Sequence, residues 1–157
     1  MNRMETEKIL QTLREVIFNI FETMFFLFPE EIEQKKEDIS DMPRDYFKAL
    51  IHLNDNKWLM ILQGSEKLAE AMTKNFLGQE GTVDEAQIAD VFREAVNVIA
   101  GNFLMKLGSR KRISLGVPEV EKCRKFSRNE TTRDFIGGLL FNVDGEFCEV
   151  RIKGIDT

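Results

Sequence analysis

Four residues are spaced so that they could do chemistry together: Asp90, Glu94, Asn97 and Gly101. On a helix at about 100° per residue, steps of four, three and four place them on one narrow stripe. Ile88, Phe92, Ala95, Val96, Ile99 and Phe103 gather on the opposite side. Such a helix buries its apolar face and shows a carboxylate beside a carboxamide. The amide of Asn97 can donate and accept without changing charge. The carboxylate of Glu94 can pair with a cation. Standing i and i+3, the two would enter a cleft together. Gly101, one turn beyond Asn97, leaves room for close approach of another backbone. Asp90 either touches a partner or solvates the helix. A Glu and an Asn three apart are also ordinary surface residues, so spacing alone leaves both readings open.

The helix that carries this stripe is expected from about Thr82 to Gly108. Thr82-Val-Asp-Glu85 matches a capping box. A first long helix is expected from Thr6 to Phe28, with Leu10, Leu13, Ile17, Ile20, Met24 and Phe28 at helical spacing and Pro29 as its stop. Phe18, Phe25 and Phe26 fall outside its main apolar stripe, so its second half should be covered on more than one side, by the chain's own sheet or by a second subunit. Glu30 to Arg44 reads as a polar connection. Tyr46–Leu53 and Lys57–Leu62 read as a β-hairpin around Asn54-Asp55-Asn56, whose residues tolerate positive φ. Ser65 to Phe76 reads as a short helix with Ser65 as cap and Gly78 beyond its end. Ile113 to Val120 is extended, with Pro118 pointing to an edge, and Glu121 to Thr132 reads as loop. Phe135–Val143 and Phe147–Lys153 flank Asp144-Gly145, a hairpin signal. The sum is an α+β fold: one domain over residues 1–157, with two long helices packed on one face of a largely antiparallel sheet.

Bulk properties exclude several classes. The 157 residues suit a single core. A net charge of −5 argues against a general nucleic-acid binder, and the basic run Arg110-Lys111-Arg112 reads as solvated charge after a helix. The 13 phenylalanines read as core and interface filling, not a base-stacking platform. Two cysteines, Cys123 and Cys148, without Cys-x-x-Cys spacing read as reduced thiols in a cytoplasmic protein. The apolar stretch Ile17–Phe28 is broken by Asn19, Glu22 and Thr23, so no membrane insertion is expected. The N-terminus lacks the apolar core of a signal peptide. His52, the one histidine, has no ligating partner at metal spacing and reads as structural, and no metal site is expected. No nucleophile, base and orienter set is present either.

The first helix carries a stripe of its own. Glu15, Asn19, Glu22 and Phe26 repeat the register of Asp90, Glu94, Asn97 and Gly101, with amide and carboxylate exchanged. Two related halves would produce this, and so would chance on any amphipathic helix.

Asp90-x-x-x-Glu94-x-x-Asn97, followed by Pro118, resembles the signature of the CheC, CheX and FliY chemotaxis phosphatases. The run Glu94 to Leu107, with Ala100-Gly101 and Met105-Lys106-Leu107, looks like the CheX branch, as does the single intact Glu-x-x-Asn motif. The resemblance follows the element order of most of the chain and is specific around the central helix. Two departures stand out: Asn97 to Pro118 is slightly shorter than the family spacing, and the first helix has Glu22 and Phe26 where a second site would want Asn and Gly. The resemblance implies a phosphatase whose substrate is the aspartyl-phosphate of a CheY-like receiver. Asn97 would orient the attacking water and Glu94 would pair with the receiver's lysine. Asp90, Gly101 and Pro118 would belong to the partner-binding surface. The chain would need no cofactor of its own, because the magnesium sits on the receiver, and it would be a homodimer. The alternative on the same fold is a non-catalytic adaptor that binds a receiver or a flagellar-switch component.

Overall fold

The computed structural model describes residues 2–33, 45–108, 113–124 and 135–154. Its elements are helix α1 (Arg3–Met24), strands β1 (Glu30–Ile32), β2 (Tyr46–Leu53) and β3 (Trp58–Ser65), helices α2 (Glu66–Leu77) and α3 (Glu85–Lys106), and strands β4 (Glu119–Cys123), β5 (Phe135–Val143) and β6 (Glu146–Gly154). The strands form one sheet in the order β1-β5-β6-β3-β2-β4, and every pairing is antiparallel. Alternate residues of the strands (Phe47, Ala49, Ile51 and Leu53 on β2, for example) join one core with the buried faces of all three helices. The expected α+β architecture is therefore present, with α2 as a shorter third helix.

Exchange β1 with β4, β2 with β5 and β3 with β6, and the strand order reads the same from the other end. Each half is a 22-residue helix followed in sequence by three strands, with α2 between the halves. The strand order thus supports the internal repeat that the helix stripes hinted at. The two helices nevertheless end differently. In α3, Gly101 lies inside the helix. In α1, helix stops at Met24, Phe25 caps it, and Phe26 turns left-handed at φ 55°. The backbone N–H groups of Phe25 and Leu27 both donate to the Phe21 carbonyl. Phe26 therefore stands past the end of α1, and the first-helix stripe is cut short where the second one continues.

Several boundaries differ from those expected. α1 starts at Arg3 because the Asn2 side chain accepts the Glu5 backbone N–H at 2.8 Å, and it ends well before Pro29. The capping box of α3 is Asp84 and Gln87, not Thr82 and Glu85. The Asp84 carboxylate accepts the Gln87 backbone N–H at 2.8 Å, and the Gln87 side-chain carbonyl accepts the Asp84 N–H at 3.0 Å. Part of the polar connection, Glu30–Ile32, pairs with β5 as an edge strand, and Arg14 holds Glu31 through two bonds of 2.6 and 2.9 Å. Glu121–Cys123 continue β4 beside β2, where a loop was expected. The second strand of the first hairpin runs on to Ser65. Residues 34–44 of the polar connection, the basic run 110–112 and residues 125–132 lie outside the described residues. Turn chemistry behaves as its residues dictate: Asn54, Asp55 and Asn56 all have positive φ, and Asp144-Gly145 makes the second hairpin turn at φ 51° and 85°.

Candidate active site

α3 is held on its inner side by large rings, of which Phe47, Phe92 and Phe103 are fully buried and Trp58 partly so. Phe92 packs against Phe47 and Phe103 against Trp58, each with ring centroids 6.0 Å apart. Burying such a ring fully is worth roughly 2–3 kcal/mol against leaving it in water. Every apolar residue assigned to the inner face, from Ile88 to Phe103, is buried. The outer face is consequently fixed in orientation by the core beneath it.

On that outer face Glu94 is exposed, while Asn97 and Gly101 are half-buried. On a helix, residues three apart have Cβ atoms about 5–6 Å apart, so the Glu94 carboxylate and the Asn97 amide share one small patch. Neither side chain is hydrogen-bonded to another of the described residues. Among the described residues, the bonding capacity of both is unused. Asp90 differs. Arg93 donates to its carboxylate at 2.8 Å from one turn along the same helix. Its charge is offset locally, whereas Glu94 has no ion pair among the described residues.

Gly101 is not a packing necessity of the fold. A Cβ built there would meet only the Leu115 Cδ1 atom, at 3.7 Å, an ordinary contact. Leu115 belongs to the extended segment that leads through Pro118 into β4. That segment is tied to the end of β2: the Gly116 N–H donates to the His52 carbonyl at 2.8 Å, the Asn54 N–H donates to the Ser114 carbonyl at 2.9 Å, and Leu53 and Leu115 form a bridge. Pro118 precedes the edge strand directly, where a residue without a donor is tolerated. The five residues singled out in sequence therefore lie on two elements, four on α3 and Pro118 on the chain that passes beside it.

Sequence reasoning missed Leu115 and Val117 in this segment. Val117 is 83% exposed. No periodicity marks a residue in an irregular extended stretch, and only its neighbour Pro118 gave a signal. The Asp90–Arg93 pair also went unnoticed, although its i, i+3 spacing was legible.

Other chemistries find little support here. Burial pushes the Cys148 thiol pKa far above its ordinary value, and it also raises that of half-buried Cys123, so neither is poised as a thiolate. Among the described residues no group of three or more His, Cys, Asp or Glu could hold a metal ion. No described helix is long and apolar enough to cross a membrane.

A family model described as chemotaxis phosphatase CheX matches residues 49–136, more than half of the chain and the whole of α3. No curated protein matches in sequence. Among solved structures, the chemotaxis protein CheX of Vibrio vulnificus is similar with a TM-score of 0.71 at 17% identity, over 92% of this chain and 95% of that one. A CheC-like protein from Shewanella sp. PV-4 is similar with a TM-score of 0.65 at 15% identity, over 98% and 100%. The structure of a CheX–CheY–BeF3–Mg2+ complex from Borrelia burgdorferi is similar with a TM-score of 0.60 at 16% identity, over 94% and 97%. At such identities the structural likeness speaks for the fold.

Proposed function

The chain belongs to the CheX family of chemotaxis phosphatases, and on that premise we propose that its substrate is the aspartyl-phosphate of a CheY-like response regulator. The observation that carries this reading is the pair Glu94 and Asn97. They lie side by side on a helix locked by its core, and neither is hydrogen-bonded to another described residue. The family match covers both. The similar Borrelia burgdorferi protein is in complex with CheY, which supports a receiver as the partner.

An acyl phosphate is already reactive, and in this proposal its receiver brings the magnesium and a lysine. What remains is to place one water in line with the phosphorus. The Asn97 amide suits that task, since its carbonyl accepts from water while its NH2 group donates to a phosphoryl oxygen. Glu94 need not take a proton. As a carboxylate with no ion pair among the described residues, it pairs with the receiver's lysine, and that contact sets the angle at which α3 enters. Gly101 keeps the following turn low, so the receiver backbone can come close. Pro118 shapes the chain beside the helix. Asp90, already paired with Arg93, is a peripheral contact. The proposed assembly is a homodimer, supported by the apolar excess at the end of α1, where Phe26 and Phe28 are 65% and 71% exposed.

Phosphate release from a phosphorylated CheY-type receiver tests the proposal. The protein should accelerate release over the receiver's own rate. Equal rates with and without it would end the enzyme reading, and binding without acceleration would leave the adaptor in its place.

A further inference from the structure

Away from the α3 stripe, three parts of the fold enclose a groove of about 360 Å³. They are the chain between α1 and β1, the first half of α2, and the β5–β6 turn. Leu27, Leu68 and Val143 line it and are buried, and Ala71 adds a small side chain from α2. Lys67 stands on the α2 side and Asp144 on the side of the turn. Neither has an ion pair among the described residues.

The chain that supplies Leu27 leaves its two neighbours in water. Phe26 and Phe28 are 65% and 71% exposed. Phe26 holds a left-handed φ of 55°, which a bulky residue keeps only where its surroundings impose it. Three hydrogen bonds do so here. The N–H groups of Phe25 and Leu27 both donate to the Phe21 carbonyl, and the Asn75 amide donates to the Phe25 carbonyl at 2.7 Å. Phe76 extends the apolar surface: it is 41% exposed, and its ring centroid lies 6.0 Å from that of Phe25. An aromatic side chain carries about 150–250 Å², so these three together leave roughly 350 Å² in water. A stable interface takes about 800 Å² per partner. The patch has the size of the apolar centre of such an interface, with room for a polar rim.

A second copy of the chain suits this surface. Phe28 follows Leu27 directly, so ring and groove adjoin, and a single two-fold axis can seat the ring of each copy in the groove of the other. The space suffices, since a cavity of about 150 Å³ already holds benzene. Charge has the same self-complementarity, because each copy offers a cation on one bank and an anion on the other. We infer that two copies interlock here: Phe28 of each enters the groove between α2 and the β5–β6 turn of the other, with Lys67 and Asp144 paired across the axis. This rests on the homodimer reading and adds where the copies meet and which residue fills the groove.

Cross-linking tests the seat separately from the dimer. The full chain carrying Phe28→Cys is mixed with the full chain carrying Ala71→Cys and oxidised with oxidised glutathione. Mass spectrometry of the digest should find a disulfide between positions 28 and 71 of different chains. Sedimentation gives a second readout. Phe28→Ser should raise the dissociation constant of the dimer about thirtyfold or more, as the loss of an interface anchor does, and Lys67→Glu should raise it about tenfold. Circular dichroism of both should match wild type, because both side chains are exposed. A wild type at twice the chain mass without the 28–71 link, or with an unchanged constant for Phe28→Ser, overturns the inference and leaves the homodimer standing. A wild type at the single-chain mass overturns both.

Discussion

Replacing Gly101 with alanine should separate what the fold needs from what the partner needs. The position lies inside α3, and the added Cβ would touch only Leu115 Cδ1 at 3.7 Å. Glycine in a helix interior costs about 0.8–1 kcal/mol relative to alanine. The free protein should therefore become more stable by about that amount. For a chain of this length, this is a rise in Tm of about 2–4 °C. Activity should move the other way. One methyl group inserted into a close helix–receiver contact carries an overpacking cost of about 1–3 kcal/mol, a rise in KM of about fivefold to 150-fold. The assay pairs thermal unfolding by circular dichroism with phosphate release at varied receiver concentration. A lowered Tm would show that the structure misjudges the space at Gly101. A raised Tm with unchanged KM would refute the idea that glycine is kept for the partner.

Two further outcomes follow from the fold. Asp84→Ala should destabilise the protein by about 1 kcal/mol, while Thr82→Ala should be close to neutral, as denaturant unfolding will read, because Asp84 and not Thr82 caps α3. Sedimentation equilibrium should give twice the chain mass of 18.2 kDa, and a single-chain mass would remove the homodimer from the proposal.

The central helix was legible because its chemistry and its packing share one period. Nine buried residues sit on one face of α3, and the candidate stripe is what that face leaves over. Its start was misjudged for a definite reason. Thr82 with Glu85 and Asp84 with Gln87 both satisfy the capping pattern, and only tertiary contacts choose between them. Gln79 belongs to that choice: its side chain donates to the Thr82 carbonyl at 2.7 Å and accepts from Gln87 at 3.2 Å. The end of α1 was hidden by an apolar run through Phe28 and by Pro29, which looked like a natural stop. The actual stop is a left-handed Phe26, a conformation that sequence would assign to glycine or asparagine. Strand β1 has three residues and exists through pairing with β5, more than a hundred positions away, a contact no local pattern announces. Both main hairpins could be read, because Asn54-Asp55-Asn56 and Asp144-Gly145 carry their geometry in their residue types. In the candidate site, the shared outer side of Asp90, Glu94, Asn97 and Gly101 was legible because one helical register holds all four. The approach of Leu115 to Gly101 was not legible, because it comes from how the extended segment crosses α3 and not from a local pattern.

The claim that matters most is the division of labour on one helix: Asn97 acts on the water and Glu94 on docking. It is tested most directly by the kinetics of phosphate release from a phosphorylated CheY-type receiver, with wild type, Asn97→Ala and Glu94→Ala compared over a range of receiver concentrations. The account predicts that Asn97→Ala lowers kcat by about 100-fold with little change in KM, the loss expected when a positioned reactant is set free. It predicts that Glu94→Ala acts mainly on KM, raising it by about tenfold or more, as the loss of a charge-assisted contact would. Asn97→Ala turning over at the wild-type rate would contradict it.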